Sequence, residues 1–222
     1  MNIIKTISIG VLSIDDLNKI QVAVSESRCN VNYNFWFDVK YTSQTHIECE
    51  FIEKIVNERT YENLDGVEEK IEYVDYYRMK FIFRANSFFS LCLIDPPRNT
   101  KYGLQMIRSL VTADAKLKSI EFDLAKIIWC ANNGENIKIH AASISNLKMN
   151  NDILAKIKLV SNFNISDFVG GEYKYNSGCI DSLSGFVRGI PFEISKLGRI
   201  KTQVDSIEIV LSLLEQFNVH NE

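Results

Sequence analysis

The chain has 222 residues, 46% of them hydrophobic and 24% charged, with a formal net charge of −3. That length and apolar content suffice to bury a core without metal or disulfide staples. The charge balance excludes a chain-wide pull toward nucleic acid or an anionic membrane, so any basic surface has to be local.

Periodicity predicts a strand over residues 5–12, then a capping box at Ser13-Ile14-Asp15-Asp16 with Asp in place of the usual Glu. The helix that follows places Ile14, Leu17, Gln21 and Val24 on helical spacing. Val31, Tyr33, Phe35, Phe37 and Val39 alternate with Asn32, Asn34, Trp36, Asp38 and Lys40, which is the period of a strand. A second strand is expected over 45–56. The polar stretch 57–72 reads as a solvated loop or strand extension around Asp65-Gly66. Residues 71–84 form a long strand with Tyr73, Tyr77, Met79, Phe81 and Phe83 on one face. A turn at Ala85-Asn86-Ser87 leads to a strand over 88–94, which Pro96-Pro97 stops. Asn99 or Thr100 caps a helix carrying Leu104, Ile107, Leu110 and Val111.

The second half runs in the same order. A strand over 118–124 enters a helix over 123–131, although residues 120–131 also fit one continuous helix. Strands are expected over 137–147, 153–161, 171–176, 183–189, 191–195 and 199–201. A second capping box, Thr202-Gln203-Val204-Asp205, opens the last helix. That helix is apolar on more than one face, as burial between two halves or a homodimer contact requires.

The pairs Phe83/Phe186, Phe89/Phe192, Leu91/Ile194, Leu104/Ile207, Ile107/Val210, Leu110/Leu213 and Val111/Leu214 share one offset. One α+β domain made of pseudo-repeats 4–112 and 117–218 follows as the expectation. The duplicated strand–helix–strands–helix order resembles, in topology, the saddle fold of the TATA-binding protein family. The resemblance implies one curved antiparallel sheet with helices packed on one side. The insertion at 57–72 and the acidic balance depart from the family, and its wedge phenylalanines have no matching positions here.

Chemistry concentrates on the face of 71–84 opposite the aromatics. Tyr76, Arg78, Lys80 and Arg84 share one side of the strand, and the second half offers Arg188, Lys196, Arg199 and Lys201. Two basic patches with a tyrosine suit an anionic macromolecule. Arg98 and Lys101 flank a helix start that also suits an anion. The reading is therefore a non-catalytic binding protein, with protein or nucleic acid as partner and no cofactor, metal or membrane.

Two other classes carry weaker signals. Glu68-Glu69-Lys70, with Asp65 or Glu53, matches part of a metal-dependent nuclease core. The aromatic stripe with Phe88-Phe89 suits the cavity of a small-molecule sensor. His46, His140 and His220 lie far apart, and Cys49–His140 or Cys130–His140 would be the available nucleophile pairs. Cys29, Cys49, Cys92, Cys130 and Cys179 are scattered and never form C-x-x-C, which fits reduced thiols in the cytoplasm. Residues 1–12 contain no cleavage site, and no window reaches about 18 apolar residues, so a soluble chain is expected.

Overall fold

In a computed structural model, the described residues are 1–27, 34–111, 116–133, 136–148, 153–172 and 179–218. The elements are β1 (Asn2–Ser8), α1 (Ile14–Ser27), β2 (Phe35–Thr42), β3 (His46–Glu62), β4 (Glu68–Arg84), β5 (Leu91–Ile94) and α2 (Lys101–Val111). They continue as β6 (Lys118–Ser119), α3 (Leu124–Asn132), β7 (Ile137–Lys148), β8 (Leu154–Val160) and α4 (Ser166–Glu172). The last are β9 (Cys179–Val187), β10 (Ile190–Ser195), β11 (Arg199–Thr202) and α5 (Ile207–Asn218), the helix preceded by a 3-10 turn. This is an α+β chain dominated by one antiparallel sheet, in the order β2-β3-β4-β5-β1-β11-β10-β9-β7-β8, with β6 alongside β1. Among the described residues no helix is long and apolar enough to cross a membrane.

Local chemistry explains several boundaries. Ser13 Oγ accepts from the Asp16 amide at 3.1 Å while the Ser13 amide donates to Asp16 Oδ2 at 3.0 Å. These reciprocal bonds satisfy two donors at the start of α1 and hold the Asp16 carboxyl below its usual range. Asp123 caps α3 by accepting from the Lys126 amide at 3.2 Å, so residues 118–132 are a short strand and a capped helix, not one helix. Thr202 does not cap α5; its hydroxyl donates to the Pro191 carbonyl at 3.0 Å. Residues 57–62 and 68–72 extend the β3–β4 hairpin, with Gly66 at φ +78° in the turn. The expected strand over 171–176 falls partly in α4, which ends at Glu172, and otherwise outside the described residues, as do Val31, Tyr33 and Cys29.

Helices cover both faces of the sheet, which corrects the expectation of one-sided packing. One core joins Leu17, Ile20 and Val24 of α1 and Ile107 of α2 to Phe51, Met79, Phe81, Phe83, Leu91 and Leu93. The other joins Leu124 and Ile127 of α3, Val169 of α4, and Val210, Leu211 and Leu214 of α5 to Ile82, Cys92, Ile4, Ile194 and Ile200. Ile82 lies between Phe81 and Phe83, and Cys92 between Leu91 and Leu93, so the two cores use opposite faces of the same strands. The physical reason is the composition of the central strands. Phe81-Ile82-Phe83 and Leu91-Cys92-Leu93 are buried without a break, and such runs need cover on both sides.

The shared sequence offset does not carry strand pairing from one half to the other. Phe83 sits opposite Leu91, whereas Phe186 sits opposite Pro191 and Ile194 opposite Leu183. The β4–β5 connection spans residues 85–90, while Arg188 and Gly189 alone join β9 to β10, both at positive φ.

Candidate functional site

Because each helix layer covers part of one face, two areas of sheet on opposite sides stay open among the described residues. The first is the face of β2, β3 and β4 away from α1. Tyr76, Arg78 and Lys80 lie there as the alternation requires, all exposed. Register brings Glu50 opposite Lys80, Ile52 opposite Arg78 and Asp38 opposite Glu50. Arg78 Nη1 lies 3.4 Å and Lys40 Nζ 3.2 Å from Glu50 Oε2, and Lys40 also reaches Asp38 at 2.7 Å. The guanidinium of Arg78 stands 5.7 Å from the Tyr76 ring centroid, and Trp36 meets Tyr76 edge-on at 6.3 Å. The patch is thus an aromatic and ionic mosaic whose cations already face carboxylates. A surface neutralised in this way attracts phosphates weakly.

Arg84 continues the same face but lies under α5. Its side chain is 8% exposed, with Nη1 at 2.9 Å from Glu215 and Nη2 at 3.1 Å from Glu208. Nη1 also donates to Ser87 Oγ at 2.8 Å, and the Ser87 hydroxyl donates to Glu215. This cluster clamps α5 to the end of β4.

The second open area lies on the opposite face of β7, β9, β10 and β11. Pairing places Lys138 beside Phe186, Phe186 beside Pro191, Glu193 beside Lys201, and Lys5 beside Arg199. Their neighbours Ile139, Val187, Ile194 and Ile200 point into the core under α3 and α5, so this set faces away from those helices. Lys138 and Arg199 are exposed and Phe186 is 43% exposed. Lys201 binds Glu193 at 2.9 Å. Lys5, Lys138, Arg199 and Lys201 against Glu193 leave an excess of three positive charges on this face. The ring of His140 packs on Phe186 at 5.5 Å between centroids.

The remaining predicted positions stand apart. Arg188 occupies the β9–β10 turn at φ +49°, and its amide donates to the Asn136 carbonyl at 2.8 Å. Lys196 lies in the β10–β11 turn, its carbonyl accepting from Phe122. Arg98 and Lys101 are exposed at the start of α2, where the Lys101 amide is already held by Asn99 Oδ1 at 3.2 Å. Sequence reasoning missed Lys5, Lys138 and Phe186 on the second face and Trp36, Asp38 and Glu50 on the first. For the first set the signal was present: Trp36, Asp38 and Lys40 alternate with buried Phe37.

Little assembles for catalysis. Glu69 is bonded to Tyr61 and Asn63, and these bonds hold its carboxyl below the usual range. Lys70 is paired with Glu58 at 3.2 Å. Asp65 sits in the hairpin turn, while Glu53 pairs with Tyr77 in the middle of the same strands, nine residues before Glu62. Among the described residues no group of three His, Cys, Asp or Glu converges as a metal site. Burial pushes the Cys49 and Cys92 thiols up to about 12, which removes the thiolate that a nucleophile needs. His220 lies outside the described residues. The apolar void lined by Ile127, Phe192, Val210 and Leu214 measures about 10 Å³, room for one water and no metabolite. Comparison with protein-family models finds no match, and a search among curated proteins finds none either.

Proposed function

We propose that this chain is a non-catalytic binding protein that takes an acidic protein partner on the open face of β7, β9, β10 and β11. The observation that carries this reading is the surplus of Lys5, Lys138 and Arg199, unpaired among the described residues, on the face that exposes Phe186. An exposed aromatic beside a cation, on a face that carries further cations toward β11 and β1, has the composition of a protein-binding patch. A nucleic acid would meet the same cations, but it would also meet a chain of net charge −3, which opposes a long polyanion.

The order of elements supports reading the chain as two diverged pseudo-repeats, 4–112 and 117–218, the second of which inserts α4 and sets β8 at the sheet edge outside β7. Each half has a strand, a helix, a run of paired strands and a closing helix. Divergence of the hairpin lengths accounts for the different registers, and it leaves each half a different open face. Cys49 and Cys92 as free buried thiols support a reducing, cytoplasmic setting.

The test is affinity capture from native lysate, with and without nuclease, using the wild-type chain and the Lys138→Glu/Arg199→Glu variant. The reading expects a nuclease-resistant protein that is lost from the variant and released by salt. Capture that vanishes with nuclease, or that ignores the double reversal, rejects it.

A further inference from the structure

The β3–β4 hairpin outruns the sheet. Strand β2 accompanies β3 only as far as Glu53, and β5 accompanies β4 only from Lys80 onward. Among the described residues, the eight successive pairs from Ile55↔Asp75 to Glu62↔Glu68 have no neighbouring strand on either side. At ~3.3 Å per residue they make a ribbon about 26 Å long. Val56, Ile71, Tyr73 and Val74 are each at least 45% exposed along it, and Leu64 at the tip is fully exposed. Register puts Val56 and Val74 on one face of the ribbon with Glu58, Glu62, Glu68 and Glu72 against Lys70, and Ile71 and Tyr73 on the other. A two-stranded ribbon is marginally stable alone in water, and exposed apolar side chains on it mark a contact surface.

Charge narrows the partner. Between Ile55 and Asp75 seven carboxylates stand against Arg59 and Lys70, a net −5 in a chain whose total is −3. Such an arm repels nucleic acid and seeks a basic surface with exposed apolar area. The open face that holds Phe186, Lys138 and Arg199 is a surface of that kind. Resting on the reading of that face given above, we propose that its acidic partner is the hairpin arm of a second copy of this chain.

Area favours a reciprocal exchange. A ribbon about 26 Å long and ~10 Å across covers roughly 260 Å², so two arms on two faces bury on the order of 1,000 Å² in total, the lower bound for a specific interface. One arm on one face buries half of that and falls short. A closed two-fold pair is the expected assembly.

The experiment is sedimentation velocity on the full chain over about a hundredfold range of concentration at low and high salt. The wild type is expected to dimerise and to weaken as salt rises. Glu68→Lys/Glu72→Lys on the arm and Lys138→Glu/Arg199→Glu on the face should each weaken self-association at least tenfold. Mixing the two variants should restore a dimer, because the reversed arm then meets the reversed face and the native arm meets the native face. Circular dichroism of each variant checks that the fold is kept, and the mixture supplies a second check, since misfolded chains do not complement. A wild type that stays monomeric throughout, or a mixture that stays monomeric while both variants are folded, overturns the proposal. A monomeric wild type that still captures a different protein through Lys138 and Arg199 rejects the arm while the reading of the face stands. Loss of both rejects both.

Discussion

Arg84→Met removes the cation that faces Glu208 and Glu215 of α5 and leaves both carboxylates, with the Ser87 hydroxyl, beside an apolar side chain. Breaking a fully buried pair by deleting one partner costs about 3–5 kcal/mol. Arg84 is nearly buried, but the Glu208 side chain is 40% exposed and Glu215 20%. Water therefore screens part of the released charge, and roughly 2–3 kcal/mol is the expected loss. At ~2–4 °C per kcal/mol for a chain of this size, that is about 4–12 °C in Tm. Urea denaturation of Arg84→Met, Glu215→Gln and the double variant measures the effect and its coupling. In the methionine background Glu215→Gln should cost far less than in the wild type, because it removes a carboxylate that has already lost its cation. A coupling energy near zero, or an Arg84→Met variant as stable as wild type, would refute the clamp.

Ser13→Ala should destabilise by about 1 kcal/mol through loss of the α1 cap, and the Asp16 carboxyl, followed by NMR titration, should move back toward its ordinary value. Its folded pKa is depressed from 3.8, so the capping contribution is full above that value and lost as pH falls through the lower folded one. Gly185→Ala should disrupt the β7–β9 ladder, since an added Cβ would overlap the Lys138 carbonyl. Gly103→Ala meets mainly the flexible end of Met79 and should be much milder by thermal melt. Cys49 and Cys92 should resist thiol reagents at pH 8 in the native state and react on denaturation, because burial raises both thiols.

Strand and helix types were largely readable from hydrophobic period, down to the Ser13–Asp16 cap, because those signals are local. The length of β3 and β4 was harder to read. The sequence from Asn57 to Glu72 is polar enough for a loop, yet each strand pairs residue by residue to Glu62 and Glu68. Cross-strand pairing supplies an order that composition does not reveal. The candidate site was legible only in part. Tyr76, Arg78 and Lys80 fell on one face by alternation alone, but their neutralising partners came from β2 and β3, and only register reveals those. Arg84 had the same periodicity as Lys80 and ended under α5, since nothing in a strand's own sequence says where a helix from more than a hundred residues away will land.

The placement of the helices decides more than any single side chain. Even positions on β4 change character along the strand, from Tyr76, Arg78 and Lys80 in solvent to Ile82 in a core and Arg84 in a clamp. The change occurs where β5 joins the second edge of β4, from Lys80 onward, while β3 continues along the first. Phe81-Ile82-Phe83 and Leu91-Cys92-Leu93 require cover on both sides, so α1 and α2 take one face and α3 and α5 the other. Each half consequently turns a different face to water, one neutralised and one basic. A duplicated sheet with all helices on one side would have joined these areas into a single continuous surface. Here they are separated by the thickness of the sheet, so the partner proposed for the basic one would engage it without touching Tyr76 or Arg78. Reversing Arg78 and Lys80 should therefore leave binding at Lys138 and Arg199 intact, a separation that a saddle with one shared face forbids.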